Sequence, residues 1–150
     1  TPLLSEINIP EFVEDCLRHQ QQMADAKEIT LTNEVQGDVV LKGDTVLLQQ
    51  VFQNLIGNAI KFTKPGGAIR IYQPAGDQIA IADNGVGMPK DKLDKLFKYE
   101  EKKPTTGTAG EQGAGFGMPL SYEIMQAHYG DLHVASEEGK GTTFSIRLPN

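Results

Sequence analysis

The sequence contains no tryptophan and only one cysteine, Cys16. A lone cysteine cannot close an intrachain disulfide, so nothing points to an oxidising compartment. It lies among apolar residues at helical spacing, which marks a core thiol rather than a reactive one. Long apolar runs are missing too. No stretch approaches the ~20 residues of a membrane span, and no signal peptide opens the chain. A positive balance is also absent. The net charge of −6 argues against a broad nucleic-acid or anionic-membrane surface, while leaving room for a small basic pocket. The expectation is a soluble, cytoplasmic fragment with no nucleic-acid partner and no direct membrane contact. Its abrupt opening, "TPLLSE", fits one module of a longer protein, whether soluble or membrane-anchored.

What is present fits one domain, residues 1–150, with a real core. "LSEINIP" reads as a short strand. Pro10 suits the first turn of a helix, and Phe12, Val13, Cys16, Leu17 and Met23 continue it to about residue 26. Ile29, Leu31, Asn33 and Val35 alternate as in a half-buried strand. "DVVLKGD" adds an extended piece. Asp44 is an N-cap for a helix over 45–62, which "KPGG" ends. "AIRIYQ" and "QIAIAD" form a hairpin through "PAGD". Residues 90–97 suit a short helix. Residues 98–112 have no periodicity, and so long a loop in a compact domain is usually functional. A helix starts at Met118-Pro119, with Gly130 as its C-cap. A last hairpin joins "DLHVASE" to "TTFSIRLP". This order predicts an α+β fold: a two-layer sandwich with helices on one face of a mostly antiparallel sheet.

The helix "FQNLIGNAIKFT" carries an unexpected stripe. Leu48, Phe52, Leu55, Ile56 and Ala59 make one apolar face. Asn54, Asn58 and Lys61 line up on another, about one turn apart. Asparagine is a poor helix former, so two in one stripe cost stability. An amide oxygen is a hard neutral ligand suited to magnesium, and a lysine suits phosphate. A solvated polar face is the plain alternative.

Glycines recur at two further places. In "IADNGVGMP", Gly85 and Gly87 let backbone approach a flat ligand, and Asp83 can accept from an exocyclic amine such as that of adenine. A hairpin turn is the alternative there. In "GAGFGMP", Gly113, Gly115 and Gly117 run into a helix start, a ready anion site, with a flexible linker as the alternative. Neither the dinucleotide fingerprint nor the P-loop matches. "GKGTTF" is by itself a hairpin turn.

Five stretches in order, "NLIGNAIKFT", "DNGVGM", "LDKLF", "GAGFGM" and "GKGTTFSIRLP", resemble the asparagine, first glycine, phenylalanine, second glycine and terminal glycine-threonine motifs of sensor histidine kinases. The likeness is to their catalytic, ATP-binding domain and covers essentially the whole chain. It implies the Bergerat α/β sandwich, with ATP and Mg2+ as cofactors. It implies that Asn58 coordinates magnesium with Asn54 close by, and that Asn54 and Lys61 serve catalysis, Lys61 at phosphate. Phe62 would pack on the nucleoside. Asp83 would take the adenine amine, directly or through a water shared with Thr142, and Gly85 and Gly87 would shape that pocket. The loop over 98–117 would be a mobile ATP lid. Gly113, Gly115, Phe116, Gly117 and Met118 would lie at the phosphates, where backbone N–H groups cap them, and Phe97 would anchor the lid. Lys102 and Lys103 are candidates for a lid cation. The chain departs from the family's habit at Glu100, where a second aromatic is usual, and at Met118 and Pro119.

Relatives of this fold that hydrolyse ATP place a glutamate one turn before the metal asparagine. Here that residue is Asn54, and an amide cannot act as a general base. Transfer to a neutral imidazole, which needs no deprotonation, is favoured over hydrolysis. None of His19, His128 and His133 has the acceptor context. The implied partners are a histidine-bearing dimerisation domain of the same parent protein and a response regulator. Two alternatives stand beside this: a nucleotide-responsive module with little catalysis, and an anti-sigma-type serine kinase.

Overall fold

A computed structural model describes residues 1–97 and 117–149. Strand β1 (Ser5–Asn8) leads into helix α1 (Ile9–Ala26). Asn8 caps that helix by accepting from the Glu11 N–H at 3.2 Å, and Pro10 stands in its first turn. Strands β2 (Thr30–Asn33) and β3 (Val40–Gly43) precede helix α2 (Thr45–Phe62). Asp44 caps α2 through the Leu47 N–H at 3.1 Å. Strands β4 (Ala68–Ala75) and β5 (Gln78–Asp83) form the expected hairpin. The short helix α3 covers only Lys90–Asp94, less than the expected 90–97. Helix α4 (Gly117–Ala127) and the hairpin of β6 (Asp131–Glu137) and β7 (Gly141–Arg147) complete the described elements.

The expected α+β sandwich is present. Its sheet has the order β2-β4-β5-β7-β6, antiparallel except for β2 beside β4. Helices α1, α2 and α4 pack on it against β2, β5 and β6 respectively. Strands β1 and β3 form a separate two-stranded ribbon, with Ser5 opposite Gly43. The apolar face read from α2 is the core: Leu48, Phe52, Leu55, Ile56 and Ala59 are buried beside Ile69, Ile71, Ile79 and Ile81 of the sheet. Phe52 meets Phe12 of α1 edge to face, at 5.0 Å between ring centroids. Cys16 is buried, and desolvation pushes its thiol up to about 12, as a core thiol requires.

One expected cap is corrected. The left-handed residue ending α4 is Tyr129, with φ 57°, not Gly130. The Gly130 N–H donates to the Met125 carbonyl and the Tyr129 N–H to that of Gln126, which is the Schellman pattern. Gly130 is small for another reason: a Cβ there would lie 2.1 Å from the Arg147 carbonyl oxygen of β7. Helix α1 ends the same way, with Glu28 at φ 59°.

Two long-range polar contacts hold the helix layer. His128 is buried. Its Nδ1–H donates to the Ile124 carbonyl at 2.8 Å, and its Nε2 accepts from the Asp44 N–H at 3.0 Å. This neutral tautomer ties the end of α4 to the start of α2. Lys27, also buried, donates from Nζ to the carbonyls of Ile60 and Lys61 at 2.8 and 3.0 Å. The C-cap lysine of α1 thus satisfies carbonyls in the last turn of α2.

Candidate functional site

The polar stripe of α2 is half-buried, between the core and open solvent. The Asn54 amide donates from Nδ2 to the Gly117 carbonyl at 3.3 Å and to Ser121 Oγ at 3.2 Å. It therefore fastens α2 to the start of α4, where the second glycine stretch ends. A Cβ at Gly117 would lie 3.3 Å from the Asn54 side chain. One turn on, the carboxamide of Asn58 has no side-chain hydrogen bond among the described residues.

At the end of α2, the Phe62 ring carries two ammonium groups. Lys61 Nζ is 5.0 Å from its centroid, and Lys92 Nζ of α3 is 4.7 Å from it. Lys92 is half-buried and has no carboxylate partner among the described residues. No motif marks it, because spacing within a five-residue helix does not tell which aromatic a lysine will cover.

The first glycine loop is stitched to both neighbours. The Val86 N–H donates to the Phe62 carbonyl at 3.0 Å, and the Gly139 N–H to the Val86 carbonyl at 2.7 Å. These approaches leave no space for side chains. A Cβ at Gly85 would lie 2.4 Å from the Phe62 oxygen, one at Gly87 2.1 Å from the Glu137 oxygen, and one at Gly141 2.1 Å from the Asp83 oxygen. Gly87 and Gly141 also need positive φ, 70° and 130°.

Asp83 ends β5 beside this loop. Its Oδ1 accepts from the Gly85 N–H at 2.8 Å and from the Thr142 N–H at 3.2 Å. Burial raises its pKa above the ordinary carboxylate value, and those two N–H bonds oppose the rise. Thr142 is buried, and its hydroxyl meets Ser136 Oγ at 2.8 Å. Ser136 escapes a reading of the sequence, since only the pairing of β6 with β7 brings it to Thr142. Phe97 stacks on Tyr122 of α4 at 5.1 Å. Of the other expected residues, Met118 is buried in the first turn of α4. Gly113, Gly115, Phe116, Lys102 and Lys103 lie outside the described residues.

The geometry can hold an anion with its cation. Among the described residues, no group of three or more His, Cys, Asp or Glu side chains is placed to bind a metal. A cation at the stripe would be held by carboxamide and phosphate oxygens and retained water, which suits magnesium. The disengaged Asn58 amide fits that role. Asn54 keeps its Oδ1 available while its Nδ2 is committed.

Residues 43–150 match the family described as histidine kinase-, DNA gyrase B- and HSP90-like ATPases. The chain belongs to that family and, within it, to the ATP-binding domains of sensor histidine kinases. It is 35% identical over 149 residues to the adaptive-response sensory kinase SasA of Synechococcus elongatus, covering 96% of this chain and 38% of that protein. It is 42% identical over 106 residues to sporulation kinase E of Bacillus subtilis, covering 68% of this chain and 14% of that one. The chain thus spans well under half the length of either relative. The catalytic domain of histidine kinase ThkA has the same fold, with a TM-score of 0.80 at 22% identity over 98% of this chain and 95% of that one. Full-length ShkA, solved in complex with AMPPNP, matches with a TM-score of 0.75 at 24% identity over 97% of this chain and 31% of its own.

Proposed function

We propose that residues 1–150 form a single domain that binds Mg–ATP and delivers the γ-phosphate to a histidine on a separate dimerisation domain of the same parent protein, for relay to a response regulator. The observation that carries this reading is the half-buried Asn54–Asn58–Lys61 stripe of α2, whose C-terminal end is bonded to the first glycine loop through the Phe62 carbonyl. Asn58, with Asn54 beside it, would hold magnesium, which would supply charge neutralisation at the phosphates. Lys61, joined by Lys92 across the Phe62 ring, neutralises phosphate charge. Phe62 packs on the nucleoside, Asp83 accepts from the adenine amine beside Thr142, and Gly85 and Gly87 shape the loop beside the base by letting it pack against Phe62 and Glu137. The N-terminus of α4, with Gly117 and Met118, faces the phosphates, and Asn54 holds it there. Gly113, Gly115 and Phe116 continue that cap, within an ATP lid that Phe97 anchors and that Lys102 or Lys103 supplies with charge.

Magnesium, when bound, supplies charge neutralisation. The residues of the chain supply position, which is most of the catalysis in phosphoryl transfer. Asn54, already a donor to Gly117 and Ser121, cannot take a proton from water, so hydrolysis stays slow and the histidine acceptor receives the phosphoryl group. The AMPPNP complex of ShkA supports nucleotide binding by this fold. Among the described residues no helix is long and apolar enough to cross a membrane, in keeping with a cytoplasmic site of action. The test is to mix the chain with its acceptor domain and labelled ATP. Acid-labile, base-stable label on a histidine is expected. Absence of such label, with ATP binding proven, refutes transfer, and acid-stable label on a partner's serine selects a serine kinase instead.

A further inference from the structure

Asp83, Thr142 and Ser136 lie in one row across the sheet. Asp83 of β5 is opposite Thr142 of β7, and Thr142 is opposite Ser136 of β6, so the three share one face. Ser136 Oγ accepts from the Met88 N–H at 2.9 Å. It lies 3.1 Å from the Gly141 carbonyl and 2.8 Å from Thr142 Oγ1. A hydroxyl has one proton and two lone pairs. The Gly141 carbonyl can only accept, so the serine proton goes to it. The Met88 amide fills one lone pair. The Thr142 contact is then satisfied in a single way, with threonine donating and serine accepting.

We propose that Ser136 is a positioning residue for base selection. By taking the Thr142 proton, it leaves Thr142 Oγ1 offering only lone pairs beside the Asp83 carboxylate, so the pocket favours a purine with a 6-amino group over one with a 6-oxo group. This rests on the nucleotide reading given above. Asp83 Oδ1 is already occupied by two N–H groups, and Oδ2 has no partner among the described residues. Two neighbouring acceptors suit an amine, which has two protons to give. A ring carbonyl in the same place meets lone pairs on both sides, an unmatched polar contact that a closed site rejects. Ser136 acts through Thr142, not on the base.

The test is calorimetric titration of the 150-residue chain with ATP and with inosine triphosphate, both with magnesium. The wild type should prefer ATP. Ser136→Ala frees the threonine proton and should narrow that preference by about fivefold, while Ser136→Thr should restore it. In a Thr142→Val background, Ser136→Ala should change nothing further, because its only route is gone. Ser136→Cys, close in shape and a feeble acceptor, carries the same expectation should alanine loosen the strand. A preference unchanged in the alanine or cysteine variant overturns the proposal. So does a shift that persists with Thr142→Val. A wild type that binds neither nucleotide removes the nucleotide reading, and this proposal with it.

Discussion

Single atoms decide most of what this site can do. Asn58 has an amide that the fold leaves disengaged, so Asn58→Ala should abolish magnesium-dependent ATP affinity in calorimetry while circular dichroism stays unchanged. Asp83 stands in the opposite situation, because the fold strains against its charge. Its pKa in the folded chain is raised by burial. The stability it contributes is complete below the unfolded carboxylate value and is lost as pH rises through the folded one. At neutral pH it is a cost. Asp83→Asn should therefore unfold at a higher temperature than wild type at pH 7, with the gap closing in acid, yet bind ATP at least ~10-fold more weakly. Asp44 carries the reverse sign. N–H bonds from Leu3 and Leu47 lower its pKa, so its contribution is present above the unfolded value and fades as pH falls through the folded one.

Elements were legible in the sequence wherever their signals are local. Helix α2 begins after Asp44 and ends before "KPGG" because capping and chain breaking act within a few residues. Its two faces followed from period alone. Strand partners were not legible. Alternation in 29–35 says strand, but nothing there says that β2 runs parallel to β4, or that β1 and β3 leave the main sheet. Gly130 misled because a glycine after a helix looks the same whether it supplies positive φ or a close approach. Tyr129→Gly should consequently stabilise the chain by about 1 kcal/mol in urea unfolding, by relieving the left-handed tyrosine. Gly130→Ala should cost ~2 kcal/mol or more, through the clash with Arg147. The end of α2 depends on a residue that sequence reading passed over. Lys27→Met should cost about 2 kcal/mol, since carbonyls of Ile60 and Lys61 lose a charged donor.

Across the whole molecule, the proposed nucleotide site draws on α2, α3, α4, β5 and both turns beside them, so a nucleotide bound there would tie the helix layer to the sheet. Binding only the folded form raises stability by mass action, by about 2.7 kcal/mol at a ligand concentration 100 times Kd. Mg–ATP should raise the melting temperature of the intact chain, and EDTA should erase most of that rise. An equal shift without the cation would count against the stripe. The candidate site was readable to the extent that its residues fall in short motifs. Asn54, Asn58, Asp83 and the glycines do, whereas Lys92, Ser121 and Ser136 reach it only through tertiary pairing.

The crowding around Gly85, Gly87 and Gly141 has a genetic corollary. Every missense change at a glycine codon adds at least one carbon, and here that carbon has nowhere to go. A random mutant library selected for nucleotide binding should come back blank at these three codons, while exposed positions such as Leu4 and Val46 accept a wide range of side chains.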